Sequence, residues 1–169
     1  MLKILVLLAV TRLCLTEGHR CYAKGDLEKH YRSFVGRMEL ERYPPYYMVR
    51  ELERNPGNTH EDCPNYRVKR PMGDHSRRSI SPWRYRIHVD ENRFPKKLAY
   101  AECLCSGCID PKDGTENLSM NSVPVEQTMM VLKRIDCPHR KLNERKYTYV
   151  VEYIKVPVAC TCVIPKTHS

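Results

Sequence analysis

The chain has 169 residues and carries a formal net charge of +9. That length is the natural size of one domain with appendages. No apolar run approaches the ~20 residues a membrane-spanning helix needs, which argues against the alternative of a membrane anchor. The basic excess suits adhesion to anionic surfaces such as heparan sulfate, or simply a solvated basic exterior.

The N-terminus reads as a secretory signal peptide over residues 1–18. Lys3 is the positive region, residues 4–10 form the apolar run, and Thr16-Glu17-Gly18 places a small residue at the cleavage point. Such an address makes the protein secreted and extracellular and removes it from nucleic acid. Cleavage also removes Cys14 from the nine cysteines and leaves Cys21, Cys63, Cys103, Cys105, Cys108, Cys137, Cys160 and Cys162. An even set in a secreted chain reads as a disulfide framework, although composition alone does not fix its connectivity.

Residues 19–78 read as a loosely ordered N-terminal arm, with plain disorder as the alternative. Asp26 is placed to cap a short helix that carries Leu27, Tyr31, Phe34, Val35 and Met38 at helical spacing. Tyr43-Pro44-Pro45-Tyr46-Tyr47 is expected to end it, and Asn55-Pro56-Gly57-Asn58 to form a turn or linker. Cys63-Pro64 argues for a tether within the arm, which is otherwise available to pack on a partner. Arg67-Val68-Lys69-Arg70 resembles a dibasic processing site, but Pro71 disfavours cleavage. Together with Arg77-Arg78 it is better read as a solvated basic linker.

The structured part begins near Ser79. Trp83, Tyr85, Ile87 and Val89 alternate with Arg84, Arg86 and His88, the pattern of a half-buried strand with one basic face. Asp90-Glu91-Asn92-Arg93-Phe94-Pro95 is the turn, and a second strand is expected over residues 98–105. Asp110-Pro111-Lys112-Asp113-Gly114 has strong turn chemistry. Asn117-Leu118-Ser119 fits the N-glycosylation triplet, so Asn117 is the candidate glycan site. Residues 123–135 fit either a helix or a strand; strand is chosen because the surroundings are β. In the last strand Val150, Ile154, Val156, Val158, Cys160 and Cys162 share one face, and Tyr147, Tyr149, Val151 and Tyr153 the other. Two apolar faces imply an internal core and a partner chain. Pro157 suits an edge or a bulge.

Side chains two apart on a strand point the same way, so Cys103 and Cys105 form one row and Cys160 and Cys162 another. Laid side by side, the rows come within bridging reach, and Ser106-Gly107 can bend the chain so that Cys108 joins them. A four-thiolate zinc site is a poor alternative, because Cys-x-Cys is a weak second half and four further cysteines need partners in an oxidising compartment. A redox Cys-x-x-Cys is weaker still, because a Pro/Gly loop, not a helix, follows Cys108. No hydrolase motif, phosphate loop, catalytic constellation, metal site or cofactor site is evident. Structural disulfides are therefore the expectation, and a domain of about 90 residues with short strands needs such staples.

Ser79-Ile80-Ser81-Pro82-Trp83, Arg93-Phe94-Pro95, Ala101-Glu102-Cys103 through Cys108-Ile109, Met120-Asn121-Ser122-Val123-Pro124 and Val158-Ala159-Cys160-Thr161-Cys162-Val163 together resemble the interleukin-17 cytokines in order and spacing. The resemblance covers residues 79–169 and is strongest to the C-type branch. It implies a mainly β, cystine-knot-like fold of antiparallel strands, with Cys103–Cys160 and Cys108–Cys162 as the knot bridges. Cys63 and Cys137 match positions that link the two chains of family dimers. Cys105 has no counterpart in the A- and F-type branches, so Cys137 could instead bridge to Cys105, and Cys21 stays unassigned. The implied function is that of a secreted pro-inflammatory cytokine, a homodimer that binds receptor chains A and E rather than an enzyme. Trp83, Tyr85, Tyr149 and Tyr153 are the candidate receptor contacts, with core packing as their alternative role. The rival readings are a cystine-knot growth factor acting through heparan sulfate and a secreted thiol oxidoreductase.

Overall fold

In the computed structural model the described residues are 20–35, 43–56, 62–69, 72–137 and 145–166. The signal-peptide expectation over 1–18 lies outside them. Among them no helix is long and apolar enough to cross a membrane.

The arm contributes three helices. Helix α1 spans Lys24–Val35, with Asp26 in its first turn rather than at its cap. A carboxylate there still faces the positive end of the helix dipole. Met38, expected to extend its apolar face, lies outside the described residues. Helix α2 spans Pro44–Arg54. The Tyr-Pro-Pro run, expected to end the preceding helix, starts a new one. Proline has no N–H to lose in the first turn, and its fixed φ already suits the helix. Helix α3, His75–Arg78, is a single turn.

Strand β1, Trp83–Val89, pairs antiparallel with β3, Lys97–Cys103, in a register that sets Trp83 against Cys103 and Val89 against Lys97. The turn between them holds a two-residue strand β2, Arg93–Phe94, which leaves the hairpin to pair with β6, Asn121–Asp136. The Asp90–Pro95 segment is therefore more than a turn. Phe94 sits opposite Leu132 and carries one sheet onto the other. Strands β4, Cys108–Ile109, and β5, Glu116–Asn117, form a small ladder. Residues 123–135, ambiguous in sequence, lie wholly within strand β6.

Strand β6 pairs along its whole length with β7, Tyr147–Val163, making a long two-stranded ribbon. Its register shifts where Val125 faces Ala159 and Glu126 faces Pro157. Val158 is the extra residue, so Pro157 lies at a bulge, where its missing N–H costs no ladder bond.

Two apolar clusters hold these parts together. Leu98, Met129, Val131 and Val156 form one between the hairpin and the ribbon. Leu27, Phe94, Leu132 and Tyr149 form the other, with Tyr22, Tyr31, Tyr46 and Tyr147 packed on it. Leu27 is 1% exposed. The described parts of the arm thus pack on the chain's own sheets. Tyr22 extends this contact by exchanging two backbone hydrogen bonds of 2.9 Å with Tyr147.

Arg93 is 4% exposed and makes no ion pair among the described residues. Its guanidinium donates to the carbonyls of Pro95 (3.1 Å), Lys96 (3.2 Å) and His88 (3.3 Å), and to the Tyr100 hydroxyl (3.2 Å). One buried cation thereby satisfies the carbonyls of the tight turn between β1 and β3, which would be costly to leave unpaired.

Candidate functional site

The cysteine-rich centre is built where β3 runs out and the chain doubles back through β4 beside the end of β7. Cys103 is bonded to Cys160 (Cα–Cα 5.8 Å) and Cys108 to Cys162 (6.0 Å). Cys160 and Cys162 lie opposite Pro124 and Ser122 of the neighbouring strand, so both bridges meet one end of the ribbon. The bend that brings Cys108 in needs Gly107 for a reason other than turn geometry. A Cβ there would collide with the backbone carbonyl of Asn117. Its N–H donates to the Glu116 carboxylate at 2.7 Å. Across the 57-residue separation of Cys103 and Cys160, loop closure alone stabilises by roughly 4 kcal/mol, and a second bridge beside it adds less.

The remaining four described cysteines are also paired within the chain. Cys63 bonds Cys105 (Cα–Cα 4.7 Å) and Cys21 bonds Cys137 (6.3 Å). Within the single chain, Cys63 and Cys137, which the resemblance matched to interchain positions, thus take in-chain partners, and Cys105 takes Cys63 where a Cys137–Cys105 bridge had been the alternative. Both bridges tie the arm to the β domain, at opposite ends of it. Cys63, Cys105 and Glu116 bring ligand atoms within 4.8 Å of one another, but the two sulfurs are bonded to each other, leaving one carboxylate.

A third link crosses the centre without sulfur. Ser81 is fully buried, and its hydroxyl meets that of Ser122 at 2.5 Å. Sequence reasoning quoted both serines as part of a pattern but had no signal that they touch.

The four candidate contact residues separate by environment. Tyr153 is 70% exposed on β7, beside exposed Val151. Tyr149, expected at a contact surface, is 6% exposed and belongs to the core, edge-on to Tyr31 with ring centroids 4.8 Å apart. Burial pushes its hydroxyl pKa upward. Tyr85 is half-buried, and its hydroxyl donates to the Val158 carbonyl at 2.7 Å. Trp83 is half-buried with its indole Nε1 enclosed and no acceptor among the described residues. Asn117 is half-buried on β5, and its side-chain oxygen accepts from the Ser119 amide at 2.8 Å.

The basic face expected on β1 is partly offset. Arg84 and Arg86 both reach Glu102 at 2.8 Å, and His88 stacks on Tyr100. Where the arm meets the hairpin, Arg32 and then Lys96 hold the Glu28 carboxyl below its ordinary pKa, and Glu28 in turn raises Lys96.

The family model described as Interleukin-17 matches residues 79–164, the span that holds both bridges at the ribbon end. The chain belongs to the interleukin-17 family. Within that family it is 47% identical to interleukin-17C of Mus musculus over 109 residues, which covers 62% of this chain and 56% of that protein. It is 45% identical to interleukin-17C of Homo sapiens over 109 residues, 62% of this chain and 55% of that protein. Interleukin-17B of Mesocricetus auratus is 35% identical over 131 residues, 73% of this chain and 72% of that protein. The chain spans about half the length of the interleukin-17C relatives it matches. As a family member it has a mainly β, antiparallel fold cross-linked by disulfides, with helices in the arm.

Proposed function

We propose that this chain is a secreted pro-inflammatory cytokine that acts by binding receptor chains of the interleukin-17 family as a homodimer. The observation that carries the reading is the family match over residues 79–164, a span closed on itself by Cys103–Cys160 and Cys108–Cys162. A cross-linked scaffold of this kind presents its outer faces with little freedom, so little entropy is lost when a partner docks. Tyr153 and Val151 supply an exposed apolar patch of the kind that anchors interfaces. The similarity to interleukin-17C supports receptor chains A and E as the partners, and Asn117 as a glycan acceptor in a secreted chain. The thiol-oxidoreductase alternative is disfavoured because Cys105 and Cys108 sit in separate bridges.

The test is binding of the purified, fully oxidised protein to immobilised ectodomains of receptor chains A and E. Saturable binding to either supports the reading. Protein with the four bridges in place that binds neither chain refutes it. A second partner has its own support: the net charge of +9 favours adhesion to heparan sulfate, alongside the receptor or in place of it.

A further inference from the structure

Strand β6 has a neighbour along the whole of one edge but not of the other. On the edge away from β7, β2 covers Leu132 and Lys133, and the Ser122 amide donates to the Ser106 carbonyl at 2.9 Å. Between these two ends no strand of the described residues pairs with that edge. Alternation decides which groups it presents. Ser122 and Arg134 both turn their amides away from β7, Arg134 to the Asn92 carbonyl at 2.7 Å. In an antiparallel ladder the N–H and C=O of one residue point to the same side, and the side alternates along the strand. The extra residue of the bulge belongs to β7, so the alternation of β6 is unbroken. Glu126, Thr128 and Met130 therefore direct amide and carbonyl outward, and Pro124 a carbonyl alone.

The side chains leave this edge uncovered. Residues 124–128 are all exposed, so both faces of the strand are open there. An edge of this kind is a template for another strand, and proteins guard it with lysines or a covering element. The strip from 124 to 130 carries one ionisable side chain, Glu126, which pairs with Lys155 of β7 at 3.5 Å.

We propose that this edge pairs antiparallel with the same edge of a second copy of the chain, about a twofold axis at Gln127. The inference rests on the homodimer reading above and gives it a surface. The open window runs between Ser122 and Leu132, and Gln127 is its midpoint. A twofold there lays the two windows over each other along their full length. Glu126 and Thr128 then exchange both backbone hydrogen bonds with Thr128 and Glu126 of the second copy, and the Met130 amide meets the Pro124 carbonyl. Every outward amide finds a carbonyl, and the proline falls where it has no N–H to lose. Glu126 faces Thr128, so no like charges are opposed. A twofold at Glu126 would oppose two carboxylates and set Met130 on Ser122, whose amide Ser106 already holds. A twofold at Thr128 would set Pro124 on Leu132, which Phe94 already faces. This self-complementarity is what an isologous contact requires, and it favours a second copy over an unrelated strand. Chains of net charge +9 meet on this strip without opposing cations.

The test is sedimentation equilibrium of the full, oxidised chain over a concentration series. Thr128→Pro removes an outward N–H and no ladder bond to β7, so the variant folds and its dimer dissociation constant rises about tenfold or more. Thr128→Ala keeps the N–H and dimerises like the unaltered protein. Non-reducing peptide maps showing the four bridges establish that each variant is folded. Should Thr128→Pro misfold, Gln127→Lys takes its place with the same expectation, because it sets two lysines face to face across the axis. Hydrogen exchange at the Glu126, Thr128 and Met130 amides slows as the dimer fills. A folded variant that dimerises as strongly as the unaltered protein, with these amides exchanging freely, overturns the edge and leaves the homodimer reading intact. An unaltered protein that stays monomeric overturns both. Protection of these amides only on addition of a receptor ectodomain overturns the second copy in favour of a receptor strand.

Discussion

Tyr149 and Tyr153 leave β7 on the same face, yet Tyr149 is 6% exposed and Tyr153 70%. Strand alternation makes them equivalent, and the arm separates them: α1 brings Leu27 and Tyr31 against Tyr149 but leaves Tyr153 uncovered. The two substitutions should therefore act on different quantities. Tyr149→Ala loses core packing and lowers unfolding free energy by about 3 kcal/mol. Tyr153→Ala changes stability by less than about 0.5 kcal/mol and weakens receptor binding about tenfold or more. Denaturant melts and binding isotherms on both variants check this, and a stability loss in Tyr153→Ala would count against it.

The same packing predicts that the arm is part of the folded unit. Leu27 lies before the family-matched span but inside the core of the β domain. Leu27→Ala should cost about 2–5 kcal/mol with the four bridges still formed. A variant as stable as the parent would show that the disulfides alone hold the arm.

All eight described cysteines are paired in-chain, so a dimer is expected to be held without these sulfurs. Non-reducing electrophoresis should give a single-chain band even where light scattering of the native protein reports a dimer. A disulfide-linked dimer that collapses on reduction would contradict the Cys63–Cys105 and Cys21–Cys137 pairings.

The Ser81–Ser122 contact predicts coupling across the centre. Removing the Ser122 hydroxyl leaves that of fully buried Ser81 without this partner, and removing the Ser81 hydroxyl leaves that of half-buried Ser122 without its own. Ser81→Ala and Ser122→Ala should each cost about 1–2 kcal/mol, and the double variant distinctly less than their sum. A double-mutant cycle in denaturant measures it; strict additivity would mean that the contact carries no energy.

The Glu28 cluster sets a pH dependence. Its carboxyl is held low by Arg32 and Lys96, so the unfolded chain takes up the proton first as pH falls. This stabilisation is present above the unfolded carboxylate pKa and is lost as pH drops through the depressed folded one. Lys96 is raised by Glu28, so its share is present below the unfolded lysine pKa and disappears as pH climbs through the folded value. Glu28→Gln should flatten the acid limb of the stability curve and leave alkylation-resistant, fully bridged protein. An acid limb unchanged by the substitution would remove Glu28 from the account.

Much of the β domain was legible because its signals are local. Alternation fixed β1, the apolar run of β7 was unmistakable, and Pro157 suited an edge or a bulge, of which the register shift shows the bulge. The second helix of the arm was missed for a physical reason. Tyr43-Pro44-Pro45 has the composition of a helix stop, but proline at a helix start and after a helix end look alike in sequence, and only the following turn distinguishes them. The inventory of contact residues was less legible still. Tyr149 and Tyr153 have the same residue type, strand and face, and differ only in what lies above them.

By itself the sequence determined the family, the mainly antiparallel β class and an even set of cysteines, because each is carried by residue types at short spacing. Only the tertiary structure decided that Cys21 takes Cys137 and Cys63 takes Cys105, that Ser81 meets Ser122, and which tyrosines face outward. Those choices depend on where segments 41 or more residues apart along the chain come to rest against each other, a distance at which local pattern carries no information.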